Sequence, residues 1–170
     1  RQLTAQGLMF GPDPASAQRA TIGGIIGNNA SGAHSILYGM TADHVRRLKV
    51  VLASGECVWL DSNTERLDML RAIMGKLATT HQADIEKRFP KTFRTVAGYA
   101  LNKIDPSDVD LNWLFAGSEG TLGSIVEAEL GLVPFVPVQN RCLVIVHFDS
   151  MIGSLEAVPR LLEVNPAAIE

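Results

Sequence analysis

Residues 20–32 read ATIGGIIGNNASG, and Tyr38-Gly39 follow shortly after. Four glycines are set among isoleucines and small polar residues, with no lysine in the run. Glycine lacks a Cβ, so its backbone lets a ligand come close and its amide can point at that ligand. Successive amides turned the same way make a concavity for anions, and a helix start strengthens it. The chemistry such a stretch suits is the holding of a nucleotide diphosphate by backbone rather than by cations. Hydrogen bonds to a charged group contribute roughly 1.5–3 kcal/mol each, so a few amides suffice. Taken alone, the same residues also describe a glycine-rich packing turn.

A second stretch, GSEGTLG at 117–123, runs into SIVEAELGLVP. Its continuation alternates: Val126, Ala128, Leu130 and Leu132 fall on one side, Ile125, Glu127 and Glu129 on the other. A period of two predicts a half-buried strand entered from a tight loop. Neither stretch has the G-x-G-x-x-G spacing of a dinucleotide fingerprint. No Gly-Lys-Ser/Thr triplet exists for a phosphate-binding loop, since Gly75-Lys76 is followed by Leu77.

Both stretches, with the segments between them, resemble the flavin-dependent oxidases and dehydrogenases whose FAD domain is of the vanillyl-alcohol-oxidase type. Within that family the chain is most similar to the D-lactate, glycolate and D-2-hydroxyglutarate dehydrogenases. The matching segments are GPDPAS (11–16), TIGGIIGNNASG (21–32), Tyr38-Gly39 and VRRLKVVLASGECVWL (45–60). FPKTFRTVAGYAL (89–101) and GSEGTLGSIVEAELGLVP (117–134) complete the set, in the family's order.

The resemblance implies an α+β fold: the second lobe of the FAD domain, a mixed or antiparallel sheet with flanking helices, over residues 1–137. Residues 138–170 would open a ferredoxin-like substrate, or cap, domain. The first lobe, with its own diphosphate loop, falls outside the chain. The cofactor implied is FAD, bound without a covalent link, because no histidine here matches an attachment pattern. With one lobe only, the 170-residue stretch is expected to be inactive, not to retain FAD, and to self-associate through its bared apolar surface.

The resemblance also carries site residues over. Pro12 and Asp13 border the flavin. Thr21, Gly23, Gly24, Asn28, Ser31 and Gly32 line the diphosphate and flavin. Tyr38 and Gly39 pack on the ribityl or adenine side, and Gly120, Thr121, Gly123 and Ile125 meet the cofactor's ring edges. Arg94 is the candidate for a bidentate hold on a substrate carboxylate, with Tyr99 beside it. Each has a plainer reading: turn geometry for the glycines, a core aromatic for Tyr38, a solvated loop cation for Arg94. No metal ligands are assigned. The implied reaction is oxidation of a D-2-hydroxyacid to the 2-oxoacid, with a quinone, cytochrome or iron–sulfur module as electron acceptor. Another oxidase or transferase on the same scaffold, or a non-catalytic docking module, stays open.

The remaining sequence must position these residues. Val45–Ala53 and Glu56–Leu60 predict a hairpin closed at Ser54-Gly55. Apolar residues at 67, 70, 73, 74 and 77 predict a helix over 67–77, and 79–88 a second, more polar one ended by Phe89-Pro90. Residues 90–112 lack periodicity and read as a long excursion. Residues 141–148 read as a strand, 150–164 as a helix and 165–170 as the start of another strand. Cys57 and Cys142 lie in apolar segments and read as free, buried thiols of a reducing compartment. A net charge of −3 argues against nucleic acid. No apolar run approaches a membrane span, so a cytoplasmic or membrane-peripheral location is expected.

Overall fold

The computed structural model describes residues 3–170. In chain order the strands and helices are β1 (Leu8–Met9), α1 (Ile22–Gly27), α2 (Ser35–Tyr38), β2 (Val45–Leu52) and β3 (Cys57–Trp59). They continue with α3 (Glu65–Thr80), α4 (Gln82–Arg88), α5 (Leu111–Phe115), β4 (Gly123–Leu130), β5 (Val133–Pro134) and α6 (Met151–Leu162). Helix and antiparallel sheet are mixed, in agreement with the α+β expectation.

The centre is a three-stranded antiparallel sheet in the order β3-β2-β4. The expected hairpin forms, with Val50 opposite Val58 and Gly55 at φ 82°, a left-handed conformation that a residue without Cβ adopts freely. Alternation in β2 sends Leu48 and Val50 inward, both wholly buried, and leaves Arg47 and Lys49 on the outer face. Inside, Leu67, Met74 and Ala78 of α3 and Leu111, Leu114 and Phe115 of α5 close over the sheet with Ile26 of α1. Each such side chain contributes roughly 1.5–3 kcal/mol by leaving water. Thr64 caps α3, its hydroxyl accepting the Leu67 amide; Asp110 caps α5 by accepting the Asn112 amide. Ile73, placed on the apolar stripe by spacing, instead stands 54% exposed, because the buried edge of α3 runs through residues 67, 74 and 78.

Strand β4 departs from simple alternation. Lys49 pairs with Glu127 but Val50 pairs with Ile125, so Val126 is an extra residue in the ladder. That bulge reverses the parity. Ile125 joins Ala128 and Leu130 against the core, whereas Val126, expected on their side, is exposed. The short pair β1–β5 joins Leu8 to Pro134 and Met9 to Val133, bringing residues far apart in sequence together.

Three further expectations are corrected. Residues 141–148 and 165–170 form no ladder; Leu143 is 87% exposed, since no strand among the described residues lies alongside to share hydrogen bonds. The helix between them does form, as α6. Both cysteines are exposed rather than buried: Cys57 sits on the outward phase of β3, and Cys142 on the unpaired segment. The polar helix after α3 starts at Gln82, and His81 separates the two.

Candidate functional site

The first glycine stretch is a one-and-a-half-turn helix with its bare side outward. Thr21 caps α1, its Oγ1 accepting the Gly24 amide at 3.1 Å. Ile25 and Ile26 anchor the inner side. A Cβ at Gly27 would meet nothing within 4 Å, and one at Gly23 only the Ile125 carbonyl oxygen at 3.9 Å. Asn28 ends the helix and is exposed.

Beyond it the chain turns sharply. Asn29 is buried at φ 48°, and its Oδ1 accepts the Ala42 amide at 2.8 Å. The Ala30 carbonyl accepts both the amide and the hydroxyl of Thr41. Ser31 is half-buried, and the Gly32 amide is donated to Ser35 Oγ at 3.0 Å. A Cβ at Gly32 would fall on the carbonyls of Pro12 and Asp13, so this glycine is required where the GPDP segment crosses the stretch. Asp13, at φ 47°, places its carboxylate 3.4 Å from His34 Nδ1. Tyr38 lies edge-on to His34, and its carbonyl faces His44 Nε2 at 2.8 Å; Gly39 turns at φ 83°.

The second stretch docks directly on the first. The Gly117 amide is donated to the Ile26 carbonyl and the Glu119 amide to that of Gly27, both at 2.9 Å. Gly117 and Gly120 take φ values of 88° and 79°, and open space surrounds the Cβ position of Gly120. Gly123 is pressed against the Val51 carbonyl at the start of β4, with Ile125 next inward. The excursion over 90–112 reaches both stretches. Arg94 Nη2 donates to the Gly32 carbonyl at 3.0 Å, and Tyr99 Oη lies 2.8 Å from Thr121 Oγ1.

The two glycine stretches therefore meet along one seam, between α1 and the 117–123 loop, while Pro12 and Asp13 lie against Gly32, and Tyr38 and Gly39 against His34, His44 and Asp43. Backbone at Gly23, Gly27 and Gly120 is bare along that seam, and the start of α1 is capped by Thr21. Asn29 and His44 were not singled out in the sequence, though an Asn-Asn pair after a glycine helix signals a left-handed turn. Among the described residues no three His, Cys, Asp or Glu gather to hold a metal, and no helix is long and apolar enough to cross a membrane. The resolved proton shifts lie away from the seam. Glu127 holds the Lys49 ammonium above its ordinary value by a hydrogen bond, and Ser107 donors hold Asp105 below the usual carboxylate range.

Residues 1–61 match the model of a family described as FAD binding domain. Over almost all of its length (99%) the chain is 35% identical to D-2-hydroxyglutarate dehydrogenase of Pseudomonas putida, covering 18% of that protein. It is 33% identical across its full length to the glycolate oxidase subunit GlcD of Bacillus subtilis, covering 28% of it. It is 30% identical over 97% of its length to D-lactate dehydrogenase of Anaerostipes hadrus, covering 26%. The chain thus spans between 18% and 28% of the length of these relatives. Residues 1–61 thus match an FAD binding domain, and nearly the whole chain is similar to part of a D-2-hydroxyglutarate dehydrogenase, a glycolate oxidase subunit and a D-lactate dehydrogenase.

Proposed function

We propose that the protein carrying this chain oxidises a D-2-hydroxyacid of the D-2-hydroxyglutarate, D-lactate or glycolate type to the 2-oxoacid with bound FAD. The observation that carries this reading is the docking of 117–123 on α1 through the Gly117 and Glu119 amides. It turns two separate glycine signals into one backbone surface. FAD, when bound, supplies the two-electron acceptor; the residues here bind and orient.

In this reading residues 1–137 form the flavin-holding unit and 138–170 open a substrate domain. Thr21, Gly23, Gly24 and Asn28 hold the diphosphate side. Pro12, Asp13, Ser31, Gly32, Gly120, Thr121, Gly123 and Ile125 border the ring, and Tyr38 and Gly39 the ribityl or adenine end. Arg94 gives one Nη2 hydrogen to the Gly32 carbonyl, and its remaining N–H groups are the donors for a substrate carboxylate. Tyr99 supports it through Thr121.

An absorbance spectrum tests the reading. The purified protein is expected to be yellow, and anaerobic D-2-hydroxyglutarate, D-lactate or glycolate should bleach it. A colourless protein, or a flavin indifferent to all three acids, overturns it.

A further inference from the structure

We infer that residues 89–100 are a strap latched across both glycine stretches by Arg94 and Tyr99, and that unlatching it is the step that admits and releases the flavin. The inference rests on the flavin-site reading above and adds the gate to it.

The segment forms no helix and no ladder; it leaves α4 at Phe89 and rejoins the core at Leu101, packed against its edge, and at Ile104, which is 7% exposed. Between those anchors Phe93, Val96 and Tyr99 are 58%, 42% and 39% exposed, so little burial holds it down. The hydroxyls of Thr92 and Thr95 bond within the segment, to the carbonyls of Arg94 and Thr92. The long-range side-chain hydrogen bonds found for it are two: Arg94 to the Gly32 carbonyl, and Tyr99 to Thr121.

The positions of those two bonds matter. One ends on the last residue of the first glycine stretch, the other inside the second. The segment spans the seam and is tied on either side of it. Beneath it a cavity of about 490 Å³ opens, walled by Pro90, Phe93 and Thr95 of the segment and by Asn29, Tyr38 and Gly39 opposite. Gly98, at φ 74° with open space about its Cβ position, lies between the two latch residues and can absorb the backbone rotation that lifting requires. A strap held by buried apolar area would open only with the core. One held by two side-chain hydrogen bonds, one exposed and one part-buried, opens locally, at a small fraction of the cost of global unfolding.

Arg94 and Tyr99 are thus positioning residues for the cofactor, acting through Gly32 and Thr121. Two measurements test this in the flavin-loaded protein, on Arg94→Ala, Arg94→Lys, Tyr99→Phe and the Arg94→Ala/Tyr99→Phe pair. The first is amide hydrogen exchange across 89–100. About fivefold faster exchange is expected for Tyr99→Phe and for Arg94→Ala, more for the pair, and partial restoration with lysine, which keeps one donor. Exchange elsewhere in the core should not change. The second is flavin release, followed by the rise in flavin fluorescence on dilution, which should accelerate by similar factors. Unchanged exchange in the double variant overturns the latch. Faster exchange with an unchanged release rate overturns the gate. Because exchange needs no catalysis, it still reads the latch in a protein that fails to turn over any hydroxyacid.

Discussion

Gly32 and Gly24 illustrate two different reasons for a missing Cβ. At Gly32 the added atom would collide with backbone carbonyls of Pro12 and Asp13, which cannot swing aside as a side chain can. Gly32→Ala is therefore expected to cost about 3 kcal/mol or more of stability, at the upper end of overpacking, as read by denaturant unfolding. At Gly24 the Cβ would sit 3.1 Å from the Thr21 hydroxyl, a capping group on the exposed side of α1. Gly24→Val should keep most secondary structure by circular dichroism yet lose the flavin on gel filtration. Full flavin occupancy in that variant would reduce the stretch to a packing turn. Cys57, exposed on β3, should react with a thiol reagent in the folded protein without waiting for unfolding.

At the scale of elements, short pieces are held by caps and by contacts with their neighbours rather than by length. Helix α5 has five residues, too few to persist alone, and depends on the Asp110 cap and its burial of Leu111, Leu114 and Phe115. Asp110→Ala should lower stability by about 1 kcal/mol and, because α5 leads into GSEGTLG, loosen the second glycine stretch as well. The turn before α5 has a pH signature. Asp105 accepts from the Ser107 amide and hydroxyl at 2.8 and 2.7 Å, which favours its charged form and lowers its pKa. A depressed carboxylate contributes at pH values above its ordinary range and loses that contribution as pH falls through the lowered value. Wild type and Asp105→Asn should thus differ in thermal midpoint near neutrality, begin to converge only below about pH 4, and meet as pH falls through the lowered value.

For the molecule as a whole, the sheet β3-β2-β4 is the platform, and the two glycine stretches meet where α1 and the 117–123 loop join. His44 is held by the Tyr38 and Gly131 carbonyls, and His34 Nδ1 lies 3.4 Å from the Asp13 carboxylate without a hydrogen bond. Flavin held by this surface is accordingly expected to be non-covalent. Acid precipitation should leave a white pellet and a yellow supernatant, and a yellow pellet would contradict that expectation.

The sequence by itself determined what depends on local pattern. The β2–β3 hairpin was legible because alternation and Ser54-Gly55 are local signals, and α3 because its apolar spacing is, although the structure starts it earlier, after the Thr64 cap. The glycine stretches were legible as places where a missing Cβ matters, because glycine density is a local signal. Only the tertiary structure decided the rest, because it depends on partners distant in the chain. The bulge at Val126 arises from pairing with β2, some seventy-odd residues earlier (Lys49 with Glu127), and no periodicity within β4 announces it. The apolar run 141–148 has strand-like side chains, but a strand exists only beside another, and none lies there among the described residues. Arg94 and Tyr99 could be named from their surroundings in sequence. That they tie Gly32 to one end of a strap and Thr121 to the other emerged only when the fold brought residues sixty-two and twenty-two positions apart into hydrogen-bonding distance.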